Sequence, residues 1–247
     1  MSTHANRGFT IIEVMLFLAV TGALVIAILA GAGVSIGQQR YRDSVNSLKS
    51  FIQTQYNEVT NVINDRGQGW TCDTAATVTQ TAEGAGETRG TSNCVILGRF
   101  ITVNETGTVL TTANVVGYHA IGAPSATSDI AELATNYTMQ VSPINQATTE
   151  VSWGAQIVNA GSTTPQRFSL LILRSPLSGS IVTFTANGDQ AGNVKGMVTT
   201  TAMATARDLC VNSDAAFTGQ RLGVRIESFA TSQSSVMIPT ANEGVCA

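Results

Sequence analysis

The sequence predicts an α+β protein in which a long N-terminal α-helix packs against an antiparallel β-sheet head. Three observations lead there. No charged residue occurs from Val14 to Ile36. Tyr41, Val45, Leu48, Ile52, Tyr56, Val59 and Ile63 then recur at intervals of four and three, the spacing of one helix face. Beyond residue 67, short β-branched runs alternate with Gly, Pro, Asn and Ser, the pattern of strands joined by turns.

The uncharged run is long enough, at about 1.5 Å per helical residue, to cross a hydrocarbon core of about 30 Å. A lone carboxylate, Glu13, stands at its mouth. An acidic residue at the centre of a bilayer costs roughly 2.5–3.5 kcal/mol on insertion scales, so one kept beside the apolar segment points to function. Gly22, Gly31, Gly33 and Gly37 interrupt the run. Two readings of them stay open: sites of local unwinding, or small residues that let helices approach closely. Between the apolar positions of the second half lie Arg42, Asp43, Asn46, Lys49, Gln53 and Asn57. That stripe is the expected seam for the sheet. Asp65-Arg66-Gly67 supplies a stop, with Gly67 suited to a left-handed C-cap.

In the head, residues 67–93 are turn-rich, and Thr81–Gly90 reads as an exposed loop. Strands are expected at Val95–Val103 (interrupted by Gly98-Arg99), Val115–Ile121, Tyr137–Val141, Val151–Val158, Phe168–Leu173, Ser180–Thr185, Leu222–Phe229 and Ser235–Ile238. Ser128–Thr135 fits a short helix capped by Ser128 or Asp129. Thr201–Leu209 fits a helix better than an irregular crossing. Asn187-Gly188 is a turn signal.

Charged residues make up only 12% of the chain and the net charge is −3. This is no basic footprint for nucleic acid. Binding of that kind would need Arg89, Arg99, Arg167, Arg174 and Lys195 to gather on one face, which their spacing does not show. The four cysteines, Cys72, Cys94, Cys210 and Cys246, all follow the apolar run. Four allow three pairings. An even count in an exported domain favours two disulfides, and proximity favours Cys72 with Cys94 and Cys210 with Cys246. No CxxC spacing occurs and the two histidines, His4 and His119, lie far apart, so no metal or other cofactor is expected.

Gly8-Phe9-Thr10-Ile11-Ile12-Glu13-Val14 resembles the prepilin-peptidase site and helix start of type IV pilins and type II secretion pseudopilins. The resemblance covers about the first 65 residues, and its motif demands Gly, Phe and Glu at fixed offsets before a membrane-length run. It implies a leader at 1–8 removed after Gly8 on the cytoplasmic side, and an N-methylated new terminus at Phe9. Glu13 becomes the acid at the fifth mature position. It further implies a membrane and fibre-core helix at 9–37, an amphipathic half at 38–66 and a β-rich head at 67–247. Losing Arg7 and no acid with the leader moves the balance from −3 to −4. The implied partners are other pilin subunits, the prepilin peptidase, the assembly machinery and, before assembly, the membrane. The implied location is the inner membrane as a single-pass precursor with its N-terminus in the cytoplasm. An extracellular pilus or an envelope pseudopilus follows. The family's frequent helix-kinking Pro is missing from this helix, which leaves any bend to glycine. An ordinary secretory signal cleaved near Ala30-Gly31-Ala32 is the competing reading, but its apolar core would be overlong and interrupted by Glu13.

There is no GxSxG, HExxH or phosphate loop. After removal of the leader His119 is the last histidine, and Asn187-Gly188-Asp189 fits a turn better than a calcium loop. Assembly, with no catalysis, is the expected function. Three variants stay open: a major or minor pilin, a pseudopilin of a secretion or DNA-uptake machine, and a monomeric membrane-anchored surface binder.

Overall fold

A computed structural model of the chain describes residues 10–61, 69–81, 92–212, 221–239 and 246. Helix α1 spans Ile11–Thr60, 50 residues and so about 75 Å. It runs without a break through all four glycines of the apolar segment. Its buried positions are Tyr41, Ser44, Val45, Leu48, Ile52, Gln55, Tyr56 and Val59. Those are the expected stripe with two polar neighbours; Ile63 lies outside the described residues. The helix stops short of Asp65-Arg66-Gly67, which also lie outside them: Asn61 is the C-cap, its N–H donating to Asn57 O. Thr60 bonds its hydroxyl back to Tyr56 O at 2.9 Å. Thr and Asn offer the backbone such alternatives to continued helix.

A small hairpin follows, β1 (Trp70–Cys72) with β2 (Val78–Gln80), in a stretch whose composition is turn-like. Then come β3 (Cys94–Val103), β4 (Val109–His119), the short helix α2 (Asp129–Ala131), β5 (Tyr137–Val141), β6 (Ala147–Glu150), β7 (Gln156–Val158), β8 (Phe168–Arg174) and β9 (Ile181–Asn187). Helices α3 (Val194–Met197) and α4 (Thr200–Ala204) precede β10 (Arg207–Asn212), β11 (Gly223–Ile226) and β12 (Val236–Met237). The large sheet has the order β5-β4-β3-β8-β9, with β6 pairing the first half of β4. The small sheet has the order β12-β11-β10-β7. Every pairing in both is antiparallel.

Three expectations need correction. The stretch Val151–Val158 is no single strand. Ser152–Gly154 forms a tight turn with Trp153 at φ +61°, and it separates β6 from β7, which belong to different sheets. Thr201–Leu209 is helical only to Ala204, and β10 begins at Arg207. The strand placed at Val115–Ile121 starts six residues earlier, at Val109. Ser128 is the cap of α2, accepting from Ala131 N at 3.3 Å, and the helix continues as a π-turn over Glu132–Asn136.

The large sheet is covered on both faces. Ile101, Val103, Phe168, Leu170 and Ile172 face α1 together with Ile157, Leu209 and Val211 from the small sheet. Leu97, Phe100, Leu171, Leu173 and Phe184 face α3 and the α2 segment. Strict alternation would put Leu97 on the α1 side. A register shift between Ile96 and Gly98 turns it onto the face of Phe100 instead, the ordinary effect of a β-bulge. Each fully buried aliphatic or aromatic side chain here stabilises by about 1.5–3 kcal/mol. In the small sheet Asp208 and Arg225 lie opposite each other, with Nε–Oδ1 2.7 Å and Nη2–Oδ2 3.1 Å. That bidentate fork helps hold the β10–β11 register.

Two tyrosines tie α1 to the head. Tyr41 Oη accepts from Leu222 N at 2.6 Å and lies 2.9 Å from Val211 O. Tyr56 Oη and Thr183 Oγ1 are 3.0 Å apart in a buried contact. Burial pushes the Tyr56 hydroxyl up to about 12 from 10.0, the Thr183 hydrogen bond opposing it. A raised folded pKa gives stability that is complete below pH 10 and is lost as pH rises through about 12. A rise of that size is worth roughly 2–3 kcal/mol. Tyr56→Phe should therefore flatten the alkaline loss of unfolding free energy in the detergent-solubilised chain. An alkaline loss as steep as that of wild type would refute the assignment.

Both disulfides are present, Cys72–Cys94 across 22 residues and Cys210–Cys246 across 36. The first ties β1 to the start of β3, and the second holds Cys246 against β10 beside Val158. In the chain-entropy account each such loop stabilises by about 3–4 kcal/mol.

Candidate functional site: the apolar half-helix and its acidic cap

Thr10 adopts extended backbone, φ −75° and ψ 153°, and is the N-cap of α1. Its Oγ1 accepts from Glu13 N at 3.3 Å, while the Glu13 carboxylate accepts from Thr10 N at 3.3 Å. This reciprocal capping box satisfies two donors that a helix start otherwise leaves open. The carboxylate also sits at the positive end of the helix dipole. The Thr-x-x-Glu spacing of Thr10 and Glu13 would have revealed the cap from the sequence. Gly8 and Phe9 lie outside the described residues.

Beyond the cap, none of the described residues covers the apolar half of the helix. The apolar segment has no buried residue, and Phe17, Ile26 and Leu29 are each about two-thirds exposed. A helix this long and apolar can cross a membrane. Its hydroxyl at Thr21 is satisfied within the helix, donating to Phe17 O at 2.8 Å, so the segment carries no unmet side-chain donor there into an apolar phase. None of the four glycines has a heavy atom within 4 Å of where a Cβ would stand. In the single chain the space beside each of these glycines is open among the described residues.

The other candidates make contacts within the head. His119 Nε2 lies 3.6 Å from Glu132 Oε1 and its ring meets Tyr137 edge-on at 5.0 Å. Glu132 accepts from Ala126 N and from Asn136 Nδ2, each at 2.8 Å, and Asn136 Nδ2 also donates to Pro124 O. These bonds close the 120–128 loop over the π-turn. Desolvation, aided by Glu132, raises the Tyr137 hydroxyl above its ordinary range. Gly188 (φ +72°) makes the turn after β9, where Asp189 accepts from Ala191 N. No three His, Cys, Asp or Glu side chains gather into a possible metal site among the described residues. Arg99 pairs with Glu58 and Arg167 with Glu105; Arg174 Nε donates to Gly179 O, and Arg89 lies outside the described residues.

No family model, no curated protein and no solved structure matches the chain.

Proposed function

We propose that the chain is a structural subunit, a major or minor pilin, of a type IV pilus-like fibre. The observation that carries this reading is the continuity of α1: one uninterrupted helix whose second half is the seam of a two-sheet head and whose first half is entirely uncovered. Such a segment needs an apolar surrounding. A bilayer provides one before assembly, and a bundle of like helices provides one afterwards. The Gly8-Phe9…Glu13 pattern supports the same reading through its resemblance to the prepilin-peptidase site. Adhesion, motility and DNA uptake are the functions that such fibres serve.

In this mechanism the precursor waits in the membrane with Glu13 held by its own N-cap. Cleavage after Gly8 frees the amine of Phe9. In the fibre Glu13 leaves the Thr10 cap for the Phe9 amine of a neighbouring subunit. A paired carboxylate is tolerated in that apolar setting and an unpaired one is costly, so the exchange sets the axial register. Packing of the 9–36 segments supplies the cohesion.

The test is the N-terminal peptide by mass spectrometry, in membranes and in material sheared from the cell surface. The expected chain begins at Phe9, bears one added methyl and occurs in the sheared fraction. The same terminus confined to membranes would make it a pseudopilin. A chain retaining its leader, or starting near Gly33, would leave an anchored monomer or an ordinary secreted domain and end the fibre reading.

A further inference from the structure

We propose that the Trp153 turn, with Arg40, is a lipid-headgroup contact that seats the head on the bilayer while the chain is membrane-anchored. The inference rests on the reading of the apolar half of α1 as a membrane span.

Trp153 is 58% exposed and stands at φ +61°, ψ 31°, a left-handed conformation that a bulky residue seldom adopts. Strain of this kind persists only where the surroundings impose it. Here they do so from both sides. Val151 N donates to Thr108 O and Ile157 N to Gly107 O, each at 2.8 Å, so the β3–β4 turn clamps the chain on either side of Trp153. Gly107 allows that approach: a Cβ there would meet Ile157 O at 2.4 Å. The indole is thus projected outward by a fixed frame.

The ring points at the membrane end of the head. Arg40 Cζ lies 5.2 Å from its centroid, a cation–π contact, and the next residue, Tyr41, is locked onto Val211 and Leu222. Arg40 is four residues beyond Ile36, roughly 6 Å along the helix axis. The headgroup layer of one leaflet is roughly 5–8 Å deep. Arg40 and the indole therefore fall within that layer once the 14–36 segment fills the hydrocarbon. Tryptophan favours this depth because its ring is apolar and its N–H polar, and a guanidinium pairs well with lipid phosphate. An exposed tryptophan alone would need no explanation; a strained one, clamped at this height beside an arginine, does.

The full-length chain carrying Trp70→Phe keeps Trp153 as its sole tryptophan. It is reconstituted into phosphatidylcholine–phosphatidylglycerol vesicles, with bromines placed on the acyl chains near the headgroup or near the bilayer centre. Trp153 emission should shift to the blue, lose most of its intensity to the shallow bromines and little to the deep ones, and resist acrylamide. Arg40→Ala should weaken the shallow quenching without releasing the chain from the vesicles. A chain that floats with the vesicles, resists carbonate extraction and yet leaves Trp153 open to acrylamide overturns the headgroup contact while sparing the membrane span. A chain that does not float overturns the span itself, and this proposal with it. Protection of Trp153 only in purified fibres would identify a subunit contact and overturn the lipid assignment.

Discussion

Glu13→Ala is expected to leave membrane insertion intact and to cut incorporation into sheared fibres by at least about tenfold, the effect of only ~1.4 kcal/mol. Insertion should be spared because removing an acid from the edge of an apolar helix lowers its transfer cost. Incorporation should suffer because a neighbour's Phe9 amine would be left in the fibre without its counter-charge, and breaking a buried pair is strongly destabilising. Alanine also removes half of the capping box, so the comparison needs Glu13→Gln. Glutamine at that position retains the cap and loses only the charge. Both variants should incorporate poorly if charge pairing sets the register. If Gln incorporates like wild type while Ala does not, Glu13 acts as a helix cap and the register mechanism fails. Quantifying each variant in sheared and membrane fractions, against total cellular protein, decides the matter.

Periodicity carried most of α1. Tyr41, Val45, Leu48, Ile52, Tyr56 and Val59 are all buried, because a single helix face is a local property that spacing records directly. Strand β8 was equally plain. Phe168-Ser169-Leu170-Leu171-Ile172-Leu173 is a nearly continuous apolar run, as a strand buried on both faces requires. It lies between β3 and β9 with one set of side chains toward α1 and the other toward α3.

What stayed hidden was non-local. Val151–Val158 is β-branched at both ends, but nothing in its pattern says that Ala147–Glu150 pairs with β4 and Gln156–Val158 with β10. The turn between them is set by clamping from Gly107 and Thr108, more than forty residues away. Likewise Arg207–Asn212 pairs with both β11 and β7, and those partners keep the helix of the Thr-Ala-Met-Ala stretch from continuing to Leu209. In the candidate site Glu13 drew attention as a charge at the border of an apolar run. The Trp153–Arg40 contact did not, because its two residues are joined only by the fold.

Gly98→Ala should destabilise the head severely, by about 3 kcal/mol or more. The interruption of the Val95–Val103 run by Gly98-Arg99 marks the bulge of β3, where a Cβ on residue 98 would stand 1.9 Å from Ile172 O and 2.9 Å from both the Ile172 carbonyl carbon and Leu173 Cα. Those atoms are backbone of the paired strand, so no rotamer change can give way. Either β3 separates from β8 or the bulge shifts, and a shift of one residue would turn Leu97 away from Phe100 and toward α1. Both cores meet across this pair of strands, so α1 would lose part of its seat as well. Gly192 is the control: it is free of positive φ, and nothing lies within 4 Å of its would-be Cβ, so Gly192→Ala should change stability by no more than about 0.5 kcal/mol. Guanidinium unfolding of the detergent-solubilised chain with both disulfides intact compares the two. Equal midpoints for Gly98→Ala and Gly192→Ala would mean that β3 and β8 have room the close approach denies, and the bulge would then have no part in dividing the two cores.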